Sequence, residues 1–133
     1  MPTNSNYSGL VEPLNRGDVY LVNLEPKVGF EMGKLRPAVI IQNNIGNQYS
    51  PVTIIAPISS VKEITKPLPV MVFLSKNEAG LDADSYIDCG QIRTVDKANR
   101  LIHRLGKLSL EKIAELDRAI KISLGIAVGQ IRV

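Results

Sequence analysis

The stretch Ala38-Val39-Ile40-Ile41 restricts the fold more than any other part of the sequence. A short apolar run, mostly β-branched, reads as a buried strand. The chain enters it through Leu35-Arg36-Pro37. It leaves through Gln42 to Ser50, an Asn-rich segment ending on Ser-Pro, which reads as a polar loop. Ahead of the strand lies another loop, Gly29 to Lys34, with two glycines, the carboxylate of Glu31 and the ammonium of Lys34. A guanidinium therefore stands at the root of a buried strand, between two polar loops. Pro37 disfavours the helical region for Arg36 and holds it extended, which fixes the backbone where the side chain leaves the sheet. The residues alone leave two readings open. Arg36 pairs with a nearby carboxylate such as Glu31, or it binds an anion.

Other segments are short and strand-like. Asp18 to Leu24 alternates, with Val19, Leu21 and Asn23 on one side and Tyr20, Val22 and Leu24 on the other, so it is expected to be buried on most of both faces. Glu25-Pro26 stops it. Val52 to Ile58 is a further strand in which Pro57 implies an edge or a bulge, with Ser59 and Ser60 at its end. Lys62 to Pro67 is a charged connection, Val70 to Leu74 a strand, and Asn77 to Gly80 a turn. A short strand surrounds Tyr86-Ile87, Gln91 to Thr94 closes that region, and Leu101 to Leu105 is one more strand or a turn of helix. After Ser109, a plausible N-cap, Ile113, Leu116, Ile120 and Leu124 recur at helical spacing, and Ile122 and Ile126 widen the stripe. Strands first and a helix last predict an α+β domain on a strongly curved antiparallel sheet. The 133 residues suit one core, with 1–14 as a flexible arm and 15–133 as the domain.

Several function classes drop out. No apolar run approaches the length of a membrane span, and the N-terminus lacks the basic start and apolar core of a signal peptide. Cytoplasm is the expected compartment. The single cysteine, Cys89, excludes an internal disulfide and argues against a thiolate metal site; it reads as core. His103 is the only histidine, so a metal-free mechanism built on a His pair fails on count, and its expected role is structural. Asp82, Asp84 and Asp88 read as a solvated loop, and neither metal nor cofactor is expected. A net charge of +3 permits a nucleic-acid partner without demanding one. Four Tyr, two Phe and no Trp are few for an aromatic stacking platform, so phosphate contacts and hydrogen bonds should dominate any RNA contact.

Five segments together resemble a known family. RGDVYLVNLEP, then G-x-E-x-G-x-x-RP, then VIIQNNIGNQYSP, then IIAPISS, then QIRTVDK follow the order and spacing of the MazF/PemK-type toxins of bacterial toxin–antitoxin systems, from about Asn15 to about Ile126. The resemblance implies a small SH3-like barrel with a C-terminal helix, working as a symmetric homodimer. It implies a metal-independent endoribonuclease that cuts single-stranded RNA at a short sequence, through attack of the ribose 2′-OH, and that a cognate antitoxin inhibits.

The family's catalytic arginine falls on Arg36 and its catalytic threonine on Ser59. Here Ser replaces Thr, which keeps the hydroxyl and loses the β-methyl that restricts χ1. Met32 stands where these toxins usually carry Gln, and Lys34 where many carry Gly. Another branch of the family places an Arg and an Asp just before the segment matching Gln91; those positions are Asp88 and Gly90, so that acid–base pair is absent. Glu31 either accepts the 2′-OH proton or orients Arg36. Lys34 is a candidate RNA contact, and Gln42, Asn43, Asn44, Asn47 and Gln48 offer amides that can read base edges or cap the loop instead. Arg93 and Asp96 are expected to support the barrel or dimer. Two alternatives remain: a non-enzymatic toxin of the same fold that binds a protein target such as gyrase, which has no need of Arg36 and Ser59, and an inactivated remnant.

Overall fold

The structure, a computed structural model, describes residues 13–127. Most of the expected N-terminal arm, residues 1–12, lies outside the described residues, while Leu14 at its end is buried in the core.

The strands are β1 (Asp18–Asn23), β2 (Leu35–Ile40), β3 (Val52–Ser60), β4 (Met71–Leu74), β5 (Ser85–Asp88), β6 (Arg93–Asp96) and β7 (Leu101–Lys107). The helices are α1 (Asn44–Tyr49), α2 (Lys97–Arg100) and α3 (Leu110–Leu124). Every strand pair is antiparallel. Strand order is β4-β5-β3-β2-β1-β7, with β6 also on β3. The class is the α+β antiparallel sheet with a C-terminal helix that the sequence predicts. The barrel stays open, because the path ends at β4 on one side and β7 on the other.

β3 is a central strand, contrary to an edge placement from Pro57. One side of it pairs with β2. On the other side Val52–Ile55 pair with β6 and Ile58–Ser60 with β5. Pro57 lies between these two partners, where that side of the ladder is already interrupted and a missing N–H is tolerated.

The alternation of β1 feeds two cores. Val19 joins Val39, Ala56, Ile58, Leu74, Ile87 and Cys89 beneath Leu116 and Ala119 of α3. Tyr20, Val22 and Leu24 join Ala38, Ile40, Ile55 and Val95 on the opposite face. Ser109 caps α3 by accepting from Lys112 N–H at 3.2 Å. Gly125, at φ 75°, ends it in the left-handed region that favours glycine. The Arg16–Asp117 ion pair, 2.8 Å, ties α3 to the turn before β1. Cys89 is buried, and desolvation, helped by Asp88 and opposed by Arg16, pushes its thiol up to about 12. That keeps it protonated and inert at neutral pH. His103 sits exposed on β7.

The segment Gln42 to Ser50 differs from its expected loop. It forms α1, because the Asn43 Oδ1 accepts from Gly46 N–H at 2.8 Å and so caps a helix rather than a turn.

Candidate active site

β2 and β3 together deliver Arg36 and Ser59 to one point. Arg36 is the second residue of β2, opposite Val22 of β1. Ser59 is near the end of β3, opposite Tyr86 of β5. Arg36 Nη1 donates to Ser59 Oγ at 2.8 Å, and the pair is buried. Arg36 Nε donates to Gly33 O at 2.8 Å, and Nη1 also reaches Ile58 O at 3.4 Å. A guanidinium held from three directions loses little rotamer freedom when an anion arrives, which is the preorganisation that charge stabilisation requires.

The glycine loop covers this pair. Gly29 adopts φ 56°, and a Cβ on Gly33 would lie 2.7 Å from both Glu25 Oε2 and Lys27 Cβ, so side chains are excluded where the loop folds on itself. Glu25 holds the base of the loop through Lys27 N–H at 3.0 Å and through Lys34 N–H. Gln91 holds the tip, accepting from Met32 N–H at 3.1 Å and donating to Phe30 O at 3.3 Å. Lys34 itself has φ 71°. A non-glycine residue in that region is strained. Met32 replaces an amide with a thioether, and Ser59 Oγ donates to its Sδ at 3.3 Å. That bond points the Ser59 hydroxyl at Met32.

The predicted site residues do not all gather here. Lys34 does, lining a cleft of about 360 Å³ with Arg36, Ser60, Glu63 and Asp82. Glu31 does not. Its Oε1 accepts from Val28 N–H at 3.2 Å in a local turn, and it lines a separate cleft of about 220 Å³ with Phe30, Met32, Pro57 and Gln91. The carboxylate that pairs with Arg36 is Glu63, 3.5 Å from Nη1.

Gln42, Asn43, Asn47 and Gln48 stand at the far end of β2, roughly 20 Å from Arg36 at about 3.3 Å per residue. Gln42 and Asn47 are buried. Gln42 Nε2 donates to Asn47 Oδ1 at 3.1 Å and to Val52 O at 3.0 Å, and Asn47 Nδ2 donates to Gln42 O at 2.9 Å. Thr53 Oγ1 donates to Asn47 Oδ1 at 2.7 Å, and the buried Lys97, whose ammonium form desolvation disfavours, donates to Asn47 O. Their amides are spent on holding α1, and Asn43 spends its oxygen on the cap. Gln48 is exposed.

The QIRT side chains bond within the sheet and its connections. Arg93 Nη1 donates to Leu24 O at 3.3 Å, and Asp96 caps α2 through Asn99 N–H at 2.8 Å. Asp84 accepts from Lys76 N–H, and Asp88 from Gly90 N–H. Among the described residues no group of three or more His, Cys, Asp or Glu side chains converges, and no helix is long and apolar enough to cross a membrane.

The chain that brings Arg36 and Ser59 together under a pinned glycine loop has known relatives. Residues 15–124 match the profile of the PemK-like, MazF-like toxins of type II toxin–antitoxin systems. The chain belongs to this family. It is 49% identical over 113 residues to "Endoribonuclease MazF" of Staphylococcus saprophyticus, an alignment covering 85% of this chain and 92% of that one. In fold it resembles MazF of Deinococcus radiodurans (TM-score 0.69, 21% identity, covering 84% of this chain and 96% of that one). It also resembles a mycobacterial endoribonuclease solved with its cognate antitoxin (TM-score 0.70, 20% identity, covering 86% and 98%). PemK/MazF membership agrees with the antiparallel sheet and the C-terminal helix. Gln91 belongs to the QIRT motif, whereas Phe30 and Glu63, which also lie beside this candidate site, carry no motif signal. Phe30 is fully exposed at the loop tip, and only the folded loop shows it.

Proposed function

We propose that this chain is the toxin of a toxin–antitoxin pair, an endoribonuclease that cuts single-stranded RNA without a metal ion and so arrests translation and growth. The observation that carries it is the buried Arg36–Ser59 pair, bonded at 2.8 Å beside an open cleft, in a chain 49% identical to an endoribonuclease. The ribose 2′-OH attacks the adjacent phosphate, giving a 2′,3′-cyclic phosphate and a 5′-OH. Negative charge grows on the phosphoryl oxygens. Arg36, a permanent cation, is suited to meet it, and among the described residues its Nη2 carries no partner and remains for the phosphate. Ser59 donates one neutral hydrogen bond to a phosphate oxygen once Met32 gives way. Lys34 adds a second positive charge in the cleft, and Phe30 offers an exposed ring for an unpaired base.

The test is incubation with a long single-stranded RNA in EDTA. Cleavage at a short recurrent sequence is expected, with 5′-OH ends, and it should stop when the cognate antitoxin is added. An RNA with a 2′-deoxy sugar at the cut site should bind and stay intact, because the nucleophile is gone. Cleavage of that RNA, or activity that needs magnesium, overturns the mechanism.

The working unit in this reading is a cytoplasmic homodimer. Leu116 and Ala119 use one face of α3 within the protomer, while Leu124 and Ile126 remain exposed at its end, and a twofold contact would cover them. Sedimentation at micromolar concentration should give twice the mass of the chain; a monomer there overturns it.

A further inference from the structure

The reaction needs a group to take the 2′-OH proton, and the structure separates Glu31 from Glu63, the carboxylate paired with Arg36. Glu31 is turned into its own loop. Glu63 projects onto the cleft that holds Arg36. Its Oε1 lies 3.5 Å from Arg36 Nη1, and its Oε2 lies 3.5 Å from Lys34 Nζ. The short 3-10 turn that carries it, Val61–Glu63, is tied to the segment before β5 at its start and closed by its own i→i+3 bond at its end. Val61 N–H donates to Asp84 O at 2.9 Å, and Ile64 N–H to Val61 O at 3.1 Å. The side chain is 41% exposed, so solvent can deliver and remove a proton.

We infer that Glu63 is the general base of the cleavage step, an assignment that rests on the ribonuclease reading above. Arg36 is permanently charged and cannot act as a base. A phosphate gripped by Arg36 and Ser59 carries its neighbouring 2′-oxygen with it. A carboxylate on the same guanidinium is then within the hydrogen-bond reach that a base requires. As the O2′–P bond forms, the 2′-OH proton passes to the Glu63 carboxylate. The P–O5′ bond breaks, the 5′-oxygen leaves with its electron pair, and it takes a proton from water. The hydroxide left behind recovers the proton from Glu63, and the enzyme is reset.

The charged groups around Glu63 come from three places. Arg36 faces it from β2 and Lys34 from the glycine loop. Asp82 lines the same cleft, Asp84 lies behind the turn, and Lys62 precedes it in the chain. The two cations offset the repulsion between the carboxylate and an incoming phosphate. A competing role follows from the same contacts: Glu63 is a counter-ion that occupies the phosphate's place and must be displaced. The two roles give opposite results in one substitution.

Glu63→Gln keeps the shape and removes the basicity. Cleavage is measured under single-turnover conditions across pH in EDTA, alongside binding of an RNA with a 2′-O-methyl sugar at the cut site. The base assignment requires the cleavage rate to fall by about 10²–10⁴-fold, the acid-side limb of the pH profile to disappear, and binding of the blocked RNA to persist, which also shows that the variant is folded. Cleavage as fast as wild type or faster, with tighter binding of the blocked RNA, overturns it in favour of the counter-ion. An acid limb that survives in Glu63→Gln and vanishes in Glu31→Gln overturns it in favour of Glu31. Wild-type protein that cleaves no RNA overturns the ribonuclease reading itself, an outcome distinct from the other two.

Discussion

Arg36→Ala is expected to lower the RNA cleavage rate by at least about 10²–10³-fold, the usual cost of removing one preorganised donor from a developing anion. The loss should lie in the chemical step, with binding of uncleavable RNA less affected. Arg36→Lys should be nearly as inactive. A lysine keeps the charge but puts all its donors on one nitrogen, so it cannot span Gly33 O and Ser59 Oγ, which Arg36 reaches from Nε and Nη1, and also grip a phosphate with two parallel bonds. Ser59→Ala removes only a neutral hydroxyl and should cost less. Arg36 is also buried, so its removal strips Gly33 O and Ile58 O of a donor. Each such loss costs about 1–3 kcal/mol, and rates must be taken well below the unfolding transition of each variant. If Arg36→Ala, checked as folded by circular dichroism, cleaves within tenfold of wild type, Arg36 is not the charge partner.

Elements with a strong period were legible in the sequence, and elements built on polar side chains were not. β1 and α3 announce themselves because each buries apolar residues at a fixed spacing, and both lie where the pattern put them. α1 is the opposite case. Its six residues, Asn-Ile-Gly-Asn-Gln-Tyr, have poor helix propensity and no apolar stripe. It exists because Asn43 caps it and Gln42, Thr53 and Lys97 hold Asn47 from outside, which is tertiary information. Within the site, Pro37 and the strand after it singled out the arginine but left open whether it pairs with a carboxylate or binds an anion, and the family motif alone favoured a catalytic role. Ser59 needed the family motif, since a hydroxyl at a strand end is otherwise unremarkable. Glu63 was not legible at all. It sits 29 residues from Lys34, and only the turn at the end of β3 brings the two to one cleft.

Asn47→Ala is expected to destabilise the fold by about 2–4 kcal/mol, since buried polar partners left without a bond cost about 1–3 kcal/mol each. The substitution deprives Gln42 O of its donor and Thr53 Oγ1 of its acceptor, and both residues are buried. Gln42 Nε2 keeps Val52 O, and Lys97 keeps the main-chain carbonyl of residue 47, so part of the network survives. The melting temperature should drop by roughly 10 °C on that scale for a chain of this size. Below the transition, the cleavage rate per folded molecule should match wild type, because α1 stands at the other end of β2 from Arg36. An amide that reads RNA bases gives the reverse pattern: an unchanged melting temperature and weakened RNA affinity. Thermal unfolding and single-turnover cleavage on the same preparation therefore separate the two roles, and a variant that melts with wild type but binds RNA poorly would return Asn47 to the RNA interface.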